Sequence, residues 1–307
     1  MKKTFTDNFT LLLWVSLMAS SFIVSEQLLP YANPIASTAL RFIFATTMML
    51  PFIWKRALQQ LNHKVLRQYG IISLLLVLFF LGLFESLKTT TAMRTSVIYT
   101  LLPLLSVVLT YLALKIVTPK KQIIAFIIGT LGAVWVLGAF TNDVTGGFTS
   151  ESLSLSQWRL GDSIFLGACC CLALHVIFVK RWATDIAPAV GAFYIMVLGS
   201  LLLIPFLILF GDLSNIAWQQ AKFWQTLIYL TVFTTMATFF LQQHLLKKVG
   251  ANRLLAFTYL IPTLVVIPQG IESISQLYRG LPGILLTLLA LYFISNNTSK
   301  PSHLIKE

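Results

Sequence analysis

Charged residues are scarce in this chain: Asp, Glu, Lys and Arg together make up only 10% of its 307 residues. A soluble domain carries about 25% charged residues. Hydrophobic residues reach 57%, and the excess apolar surface requires lipid. At about 20 residues per membrane span plus short loops, the chain has room for about ten helices. The composition therefore predicts a polytopic membrane protein.

Motifs for nucleotides, cofactors and metals are also missing. There is no G-x-x-x-x-G-K-[ST] loop and no room for an ATPase domain, so any transport must be downhill or ion-coupled. The three cysteines, Cys169, Cys170 and Cys171, are consecutive in an apolar run. Adjacent helical positions point about 100° apart, so these thiols cannot converge on one metal. We expect no cofactor, no metal, no catalytic residue and no disulfide framework.

A net charge of +12 can indicate nucleic-acid binding, but here the basic residues are not clustered on a soluble face. They lie at the ends of apolar segments, where the positive-inside rule explains them. We therefore expect membrane lipid and a small-molecule substrate as partners, with protons as a further candidate, and no nucleic acid. The pattern leaves monomer and homodimer both open.

Helix-breaking Pro and Gly residues between apolar runs predict ten membrane spans. Their approximate bounds are 9–28, 34–54, 69–88, 92–114, 121–140, 158–180, 187–211, 223–246, 252–272 and 277–295. The N-terminus resembles a signal peptide, but the helices behind it and Glu26 at its end favour a retained first span. The one long connection, 141–157, is polar and rich in Gly and Ser.

That connection divides the chain into a first five-helix repeat (1–140), an outer linker loop (141–157) and a second five-helix repeat with a short cytoplasmic tail (158–307). An odd number of spans per half inverts the second half. With the N-terminus inside, 16 of the 22 basic residues fall on inner segments. The outer ends hold Lys88, Arg94, Arg159, Lys222 and Arg279. The bias predicts a multi-pass protein of the inner cell membrane with both termini cytoplasmic.

One pattern occurs in both halves: an Arg nine residues before a Pro inside a span, with a Tyr between them. The two copies are Arg94, Tyr99 and Pro103, and Arg253, Tyr259 and Pro262. Inverted repeats in a helical membrane protein are typical of transporters with a site at the repeat interface. The prolines free backbone carbonyls near mid-membrane and can hinge the cavity wall. We assign Arg41, Arg94, Pro103 and Pro262 to ion pairing or gating.

Ionisable residues within spans cost roughly 2.5–3.5 kcal/mol at the helix centre, so they require a partner, a wet cavity or a function. Glu26 and Glu85 are candidate acidic lining residues that attract an ammonium group or carry a proton. The alternative is structural ion pairing of Glu26 with Arg41, and of Glu85 with Lys88 or Arg94. Both interpretations remain open for each glutamate.

Further candidate substrate contacts are small polar or aromatic groups inside spans: Ser21, Ser25, Tyr99, His175, Thr238 and Tyr259. Each also has an ordinary structural interpretation. A lone His hydrogen-bonds a neighbouring helix, while Ser and Thr allow close helix packing. Aromatic residues most often make lipid or helix contacts.

Several of these segments resemble the drug/metabolite transporter superfamily, in particular its EamA-type ten-helix members. MASSFIVSE in span 1 is similar to the family's W-G-x-x-F-x-x-x-K signature, and Pro34 followed by Arg41-Phe42 is similar to its P…RF signature. Gly161-Asp162 opening span 6, Lys180-Arg181 closing it, and the paired span prolines also match. The resemblance covers nearly the whole length.

The chain also departs from the family pattern. Met18 and Ala19 replace the Trp and Gly of the span 1 signature, and Glu26 replaces its Lys. The family's Leu-Gly-Glu after span 4 appears as Leu114-Lys115, without the acid. The resemblance implies ten helices around a central cavity lined by spans 1, 3, 4, 6, 8 and 9.

The resemblance further implies alternating access by rocking of the two halves, with small amphipathic metabolites such as amino acids, their analogues or organic cations as substrates. We therefore predict an all-α membrane protein and a secondary transporter of a small organic solute. The alternative is a polytopic membrane enzyme acting on a lipid or small metabolite. No H-E-x-x-H, G-x-S-x-G or dense His/Asp cluster supports that alternative.

Overall fold

A computed structural model of the protein describes residues 2–28, 30–90, 95, 98–140, 159–183, 185–269 and 274–297. Within this part the chain forms helices and connecting turns, without strands. The ten helices that follow confirm the predicted all-helical class.

The first half contains α1 (Lys2–Leu28), α2 (Pro34–Gln60), α3 (His63–Leu87), α4 (Leu102–Leu114) and α5 (Lys120–Phe140). The second half begins with α6 (Leu160–Trp182) and α7 (Pro188–Phe210). Next, α8 runs through Ala221–Thr231, a π-helical segment Val232–Ala237 and Thr238–Val249. Then α9 comprises Ala251–Ala256, a 3-10 turn Phe257–Leu260 and Ile261–Gln269, and α10 is Ile274–Asn297.

Local sequence sets several of these boundaries. Asn33 caps α2 by accepting a hydrogen bond from the Ile35 amide at 2.8 Å, directly before Pro34. Asn62 caps α3 in the same way. Gly250 separates α8 from α9 with a φ of 83°, a conformation that costs glycine little because it has no Cβ.

Six of the helices are long and apolar enough to cross a membrane: α1, α2, α3, α6, α7 and α8. Segments Leu102–Leu114, Ala251–Val265 and Tyr278–Ile294 are shorter apolar helices. Many large apolar side chains on the helix surfaces are exposed, including Phe52 at 80% and Leu209 at 71%. Lipid tails provide the environment that such surfaces need.

The helix pairs that are in contact in one half of the chain have counterparts in the other half. Replacing each helix by its equivalent in the other repeat, α1 by α6, α2 by α7 and so on, gives nearly the same set of contacting pairs. α2 packs on α7 and α5 packs on α10, so each of these pairs maps onto itself. The contacts of α3 with α6 correspond to those of α8 with α1, and α4 with α6 corresponds to α9 with α1. This packing groups the helices into two mixed bundles. Bundle A contains α1, α8 and α9, and bundle B contains α3, α4 and α6.

The close contact of α5 with α10 depends on two glycines that face each other. A Cβ at Gly132 would lie 2.8 Å from the carbonyl oxygen of Gly283. A Cβ at Gly283 would lie 2.7 Å from the carbonyl oxygen of Gly132. Small residues of this kind let membrane helices approach backbone to backbone.

Candidate functional site

The side chain of Arg41, two turns into α2, is held by α8. Its Nε donates to the Thr235 hydroxyl and its Nη2 to the Thr234 hydroxyl, both at 3.1 Å. Among the residues that the structure describes, these bonds use two of the five guanidinium N–H donors. The remaining donors can bind a carboxylate, because the planar guanidinium fits that group with two parallel hydrogen bonds.

The two threonines are oriented by the π-helical segment in which they lie. Both hydroxyls donate to the carbonyl oxygen of Leu230 at 2.9 Å, four and five residues earlier. Their oxygens therefore keep lone pairs for the guanidinium. Single π-helical turns within α-helices frequently mark functional sites. The π segment contacts both α1 and α2, so it places the Arg41 site, defined as Arg41, Thr234 and Thr235, next to the first helix.

On the α1 side, the hydroxyl of Tyr229 donates to the Ser20 hydroxyl at 3.1 Å and ties α8 to α1. The predicted contacts Ser21 and Ser25 are both partly buried on α1, four residues apart and thus on one face. Thr238 instead is buried, and its hydroxyl donates to the backbone oxygens of Thr234 and Thr235. The hydroxyl of Thr238 is therefore occupied by hydrogen bonds to the backbone of its own helix.

The two candidate glutamates, Glu26 and Glu85, differ in what the structure describes of them. Glu26 belongs to α1, but its side chain lies outside the described part of the chain, and so does all of Arg94. Glu85 is exposed, and its carboxylate pairs with the ammonium of Lys88 at 2.6 Å, three residues later. The ion-pair alternative for Glu85 is thus present in the structure.

The two repeated tyrosines are both buried. The hydroxyl of Tyr259 donates to the Phe126 carbonyl oxygen at 2.8 Å and lies 3.0 Å from the Thr130 hydroxyl. A Cβ at Gly129 would overlap the tyrosine ring, so the ring fills a slot on α5 that requires a glycine. Tyr259 therefore joins α9 to α5, and its hydroxyl is already engaged within the protein.

The repeated prolines occupy equivalent positions, each as the second residue of an α-helical segment that follows a turn. Pro103 is the second residue of α4, after a turn at Thr100 and Leu101. Pro262 is the second residue of Ile261–Gln269, after the 3-10 turn Phe257–Leu260. The fixed φ of proline suits the first turn of a helix, where no N–H partner is needed. Both prolines therefore lie where α-helical geometry begins after a turn, an open turn before Pro103 and a 3-10 turn before Pro262.

His175 is completely buried and connects three helices. Its Nδ1 lies 2.9 Å from the carbonyl oxygen of Ile72 in α3, and its Nε2 lies 3.3 Å from the amide nitrogen of Gln242 in α8. Because a carbonyl oxygen only accepts, Nδ1 carries the proton and Nε2 accepts from the amide. The bond to Gln242 joins bundle B to bundle A.

Asp162, the acid of the Gly161-Asp162 pair, has a structural role. It is completely buried, accepts from the Thr90 hydroxyl at 2.5 Å and accepts from the backbone amide of Arg159 at 2.9 Å. These bonds cap α6 and connect it to the residues after α3. In the described residues, no three His, Cys, Asp or Glu side chains are placed to hold a metal ion.

Two cavities lie away from the Arg41 site. One, of about 220 Å³, is lined by α2, α3 and α7 and is almost wholly apolar, with Trp54, Phe193 and Tyr194 in its wall. The other, of about 170 Å³, lies between the last turns of α6 and α8 and carries two lysines.

The sequence prediction missed the partners of its own candidates. Gln242 and Gln243 form a polar pair within an apolar span, which was the available signal for a contact to His175. Thr130 gave no comparable signal, because only the packing of α5 against α9 brings it to Tyr259. Thr238 was a candidate from the sequence, but the π-helical turn that directs its neighbours Thr234 and Thr235 at Arg41 could not be predicted.

Comparisons with known proteins agree with this architecture. The model of the EamA-like transporter family matches residues 8–138 and again 159–296. Two similar proteins of Bacillus subtilis (strain 168) are named uncharacterized transporters. YyaM is 24% identical over 81% of this chain and 80% of its own length, and YetK is 22% identical over 84% and 76%. A solved crystal structure shares the fold with a TM-score of 0.70 at 17% identity, covering 98% of this chain and all of that one.

Proposed function

Because the chain belongs to the EamA-like transporter family and is thus a membrane transporter, we propose that it is a secondary transporter of a small organic solute that carries a carboxylate. An amino acid or a related amphipathic metabolite fits this description. Transport occurs by alternating access across the inner cell membrane, without ATP, and both termini face the cytoplasm. The charge bias of the sequence supports this orientation.

The observation that carries the proposal is the Arg41 site. A guanidinium within a membrane span is costly and therefore marks a functional site by default. Thr234 and Thr235 hold it from the opposite half of the chain at 3.1 Å. A carboxylate that binds the remaining donors would contact α2 directly and, through the threonines, the π-helical segment of α8. Substrate binding is thereby linked to the packing of bundle A.

Glu26 supplies the complementary charge in this proposal. It replaces the lysine of the family signature, and it lies one residue after Ser25, on the helix that packs against α8. In this proposal the carboxylate of Glu26 recognises an ammonium group or carries a proton that drives transport. An amino acid then meets a cation for its carboxylate and an anion for its ammonium group.

Bundles A and B are the moving units in this mechanism. The family resemblance implied rocking of the first half against the second, but the packing joins helices of both halves within each bundle. Because equivalent helix pairs are in contact in the two repeats, opening toward one side of the membrane and opening toward the other side involve equivalent contacts. This is the property an inverted repeat gives an alternating-access carrier. The His175–Gln242 bond crosses the interface between the bundles and is broken when they separate.

Counterflow in proteoliposomes tests the proposal. Vesicles are preloaded with one unlabelled solute and offered the labelled form, and each amino acid is compared with the amine that lacks its carboxylate. We expect saturable counterflow with a carboxylate-bearing solute and none with the matched amine. Equal counterflow with both members of a pair would remove the carboxylate from the proposal. No counterflow with any solute, with folded protein, would favour the membrane-enzyme alternative.

A further inference from the structure

A basic cavity of about 170 Å³ lies where bundles A and B meet, between the last turns of α6 and α8. Its wall consists of Val179, Lys180, Ala183, Gln243, Leu246 and Lys247. His175 and Gln242 lie about one turn deeper along the same two helices. The cavity is therefore next to the hydrogen bond that joins the bundles, at the end of the membrane opposite to Asp162.

Two ammonium groups give the cavity a positive charge. Lys180 is exposed in the last turn of α6, and Lys247 donates a hydrogen bond to the carbonyl oxygen of Ile186. The two lysines are close enough to interact electrostatically, and Asp185 is the acid that acts on Lys247. Among the described residues, the two lysines of the wall and the exposed Asp185 beside them give the cavity a basic character. Like charges at one site repel each other unless an anion is bound.

Gln243 supplies an independent indication of a ligand. Its side chain is 1% exposed and lines the cavity. Its amide Nε2 has no hydrogen-bond partner among the described residues. A buried polar group without a partner costs roughly 1–3 kcal/mol. The Nε2 atom itself is buried behind the wall, so a rotation of the Gln243 side chain toward the cavity would let it donate to an acceptor oxygen bound between the two lysines.

We propose that this cavity binds a phosphate group, and that the headgroup of an anionic membrane lipid supplies it. The polar side chains of the wall include two ammonium groups, Lys180 and Lys247, and the N–H donors of the Gln243 amide, a combination that fits an anion with several acceptor oxygens. Basic pockets between membrane helices are typical binding sites for lipid headgroups. Lys180 lies in the last turn of a membrane helix, from which a lysine side chain reaches the interface where phosphates lie. A bound headgroup bridges α6 and α8 and stabilises the contact between the two bundles.

Lipid retention by the purified full-length protein tests the site. The protein is exposed to phosphatidylglycerol or to phosphatidylcholine, and bound lipid is counted by native mass spectrometry. We expect preferential retention of phosphatidylglycerol. Lys180→Gln should weaken it roughly fivefold, since one basic residue at a membrane surface contributes about 1 kcal/mol. Lys180→Arg keeps the charge and should retain the lipid, and Lys64→Gln, which changes an exposed lysine outside the cavity, should have no effect.

A second arm separates the two possible sources of phosphate. Inorganic phosphate is added to protein in neutral detergent, and thermal unfolding is followed. Protection of the wild type but not of Lys180→Gln, without a preference for phosphatidylglycerol, would assign the site to free phosphate and retain the phosphate chemistry. Equal lipid retention by wild type and Lys180→Gln, with no protection by phosphate, would overturn the proposal. Gln243→Leu removes the buried amide and gives the same loss if Lys180→Gln does not fold.

Discussion

The Nε of Arg41 in α2 donates a hydrogen bond to the hydroxyl of Thr235 in α8 at 3.1 Å, although the two residues are 194 positions apart in the chain. Neither half contains this site alone. The first half supplies the cation, and the second half supplies the π-helical segment that holds it.

Arg41→Lys should lower transport of a carboxylate-bearing solute roughly tenfold or more. Lysine keeps the charge but loses the planar fork, and a hydrogen bond to a charged group contributes about 1.5–3 kcal/mol. The measurement is saturable uptake into proteoliposomes at equal protein content. Thr47→Ala, which removes an exposed hydroxyl from the same helix, is the matched control. Undiminished uptake by Arg41→Lys would show that guanidinium geometry is not used in substrate binding.

Glu26→Gln should lower transport or abolish its difference between pH 6 and pH 8. The substitution keeps the shape of the side chain but removes both the negative charge and the titration. Glu85→Gln is the control, because Glu85 is exposed and paired with Lys88, and exposed pairs of this kind contribute about 0–1 kcal/mol. Normal transport by Glu26→Gln at both pH values would leave Glu26 with a structural role only.

His175 and Gln242 should behave as a coupled pair in stability and not in substrate recognition. Removing either side chain leaves the other buried polar group without a partner. In a double-mutant cycle of His175→Leu and Gln242→Leu, we expect a coupling of about 0.6 kcal/mol, the average for hydrogen bonds between membrane helices. Thermal unfolding in detergent gives the coupling, and the uptake KM gives recognition. A KM change without any coupling would instead place His175 in contact with substrate.

The ten-helix plan could be predicted because it depends on one-dimensional signals. Apolar runs, breakers such as Pro34 and the distribution of lysines are all visible in the sequence. The repeat of Pro103 and Pro262 also predicted equivalent positions in the two halves. Their local role was harder to predict, because a proline that kinks a helix and one that restarts a helix look the same in sequence.

The partners of the candidate residues could not be predicted, because they come from helices far apart in the chain. His175 was recognised as a buried polar group, but only the packing of α3 and α8 on α6 identifies Ile72 and Gln242. Tyr259 had the features of a substrate-stacking aromatic, and Gly129 on a distant helix instead provides a slot for its ring. Polar residues inside a membrane are therefore easy to find in sequence, whereas their roles depend on three-dimensional neighbours.

Gly132→Ala should destabilise the protein, and Gly167→Ala should not. At Gly132 a new Cβ would lie 2.8 Å from two backbone atoms of α10, the Gly283 oxygen and the Thr287 nitrogen. Backbone atoms cannot move aside as a side-chain end can, so we expect α5 and α10 to separate at a cost of about 1–3 kcal/mol.

Nothing lies within 4 Å of a Cβ at Gly167 in α6. There the gain in helix propensity, up to about 1 kcal/mol, should appear as unchanged or higher stability. Thermal unfolding in detergent compares the two variants. Equal behaviour would mean that the α5–α10 contact is looser than the facing glycines indicate.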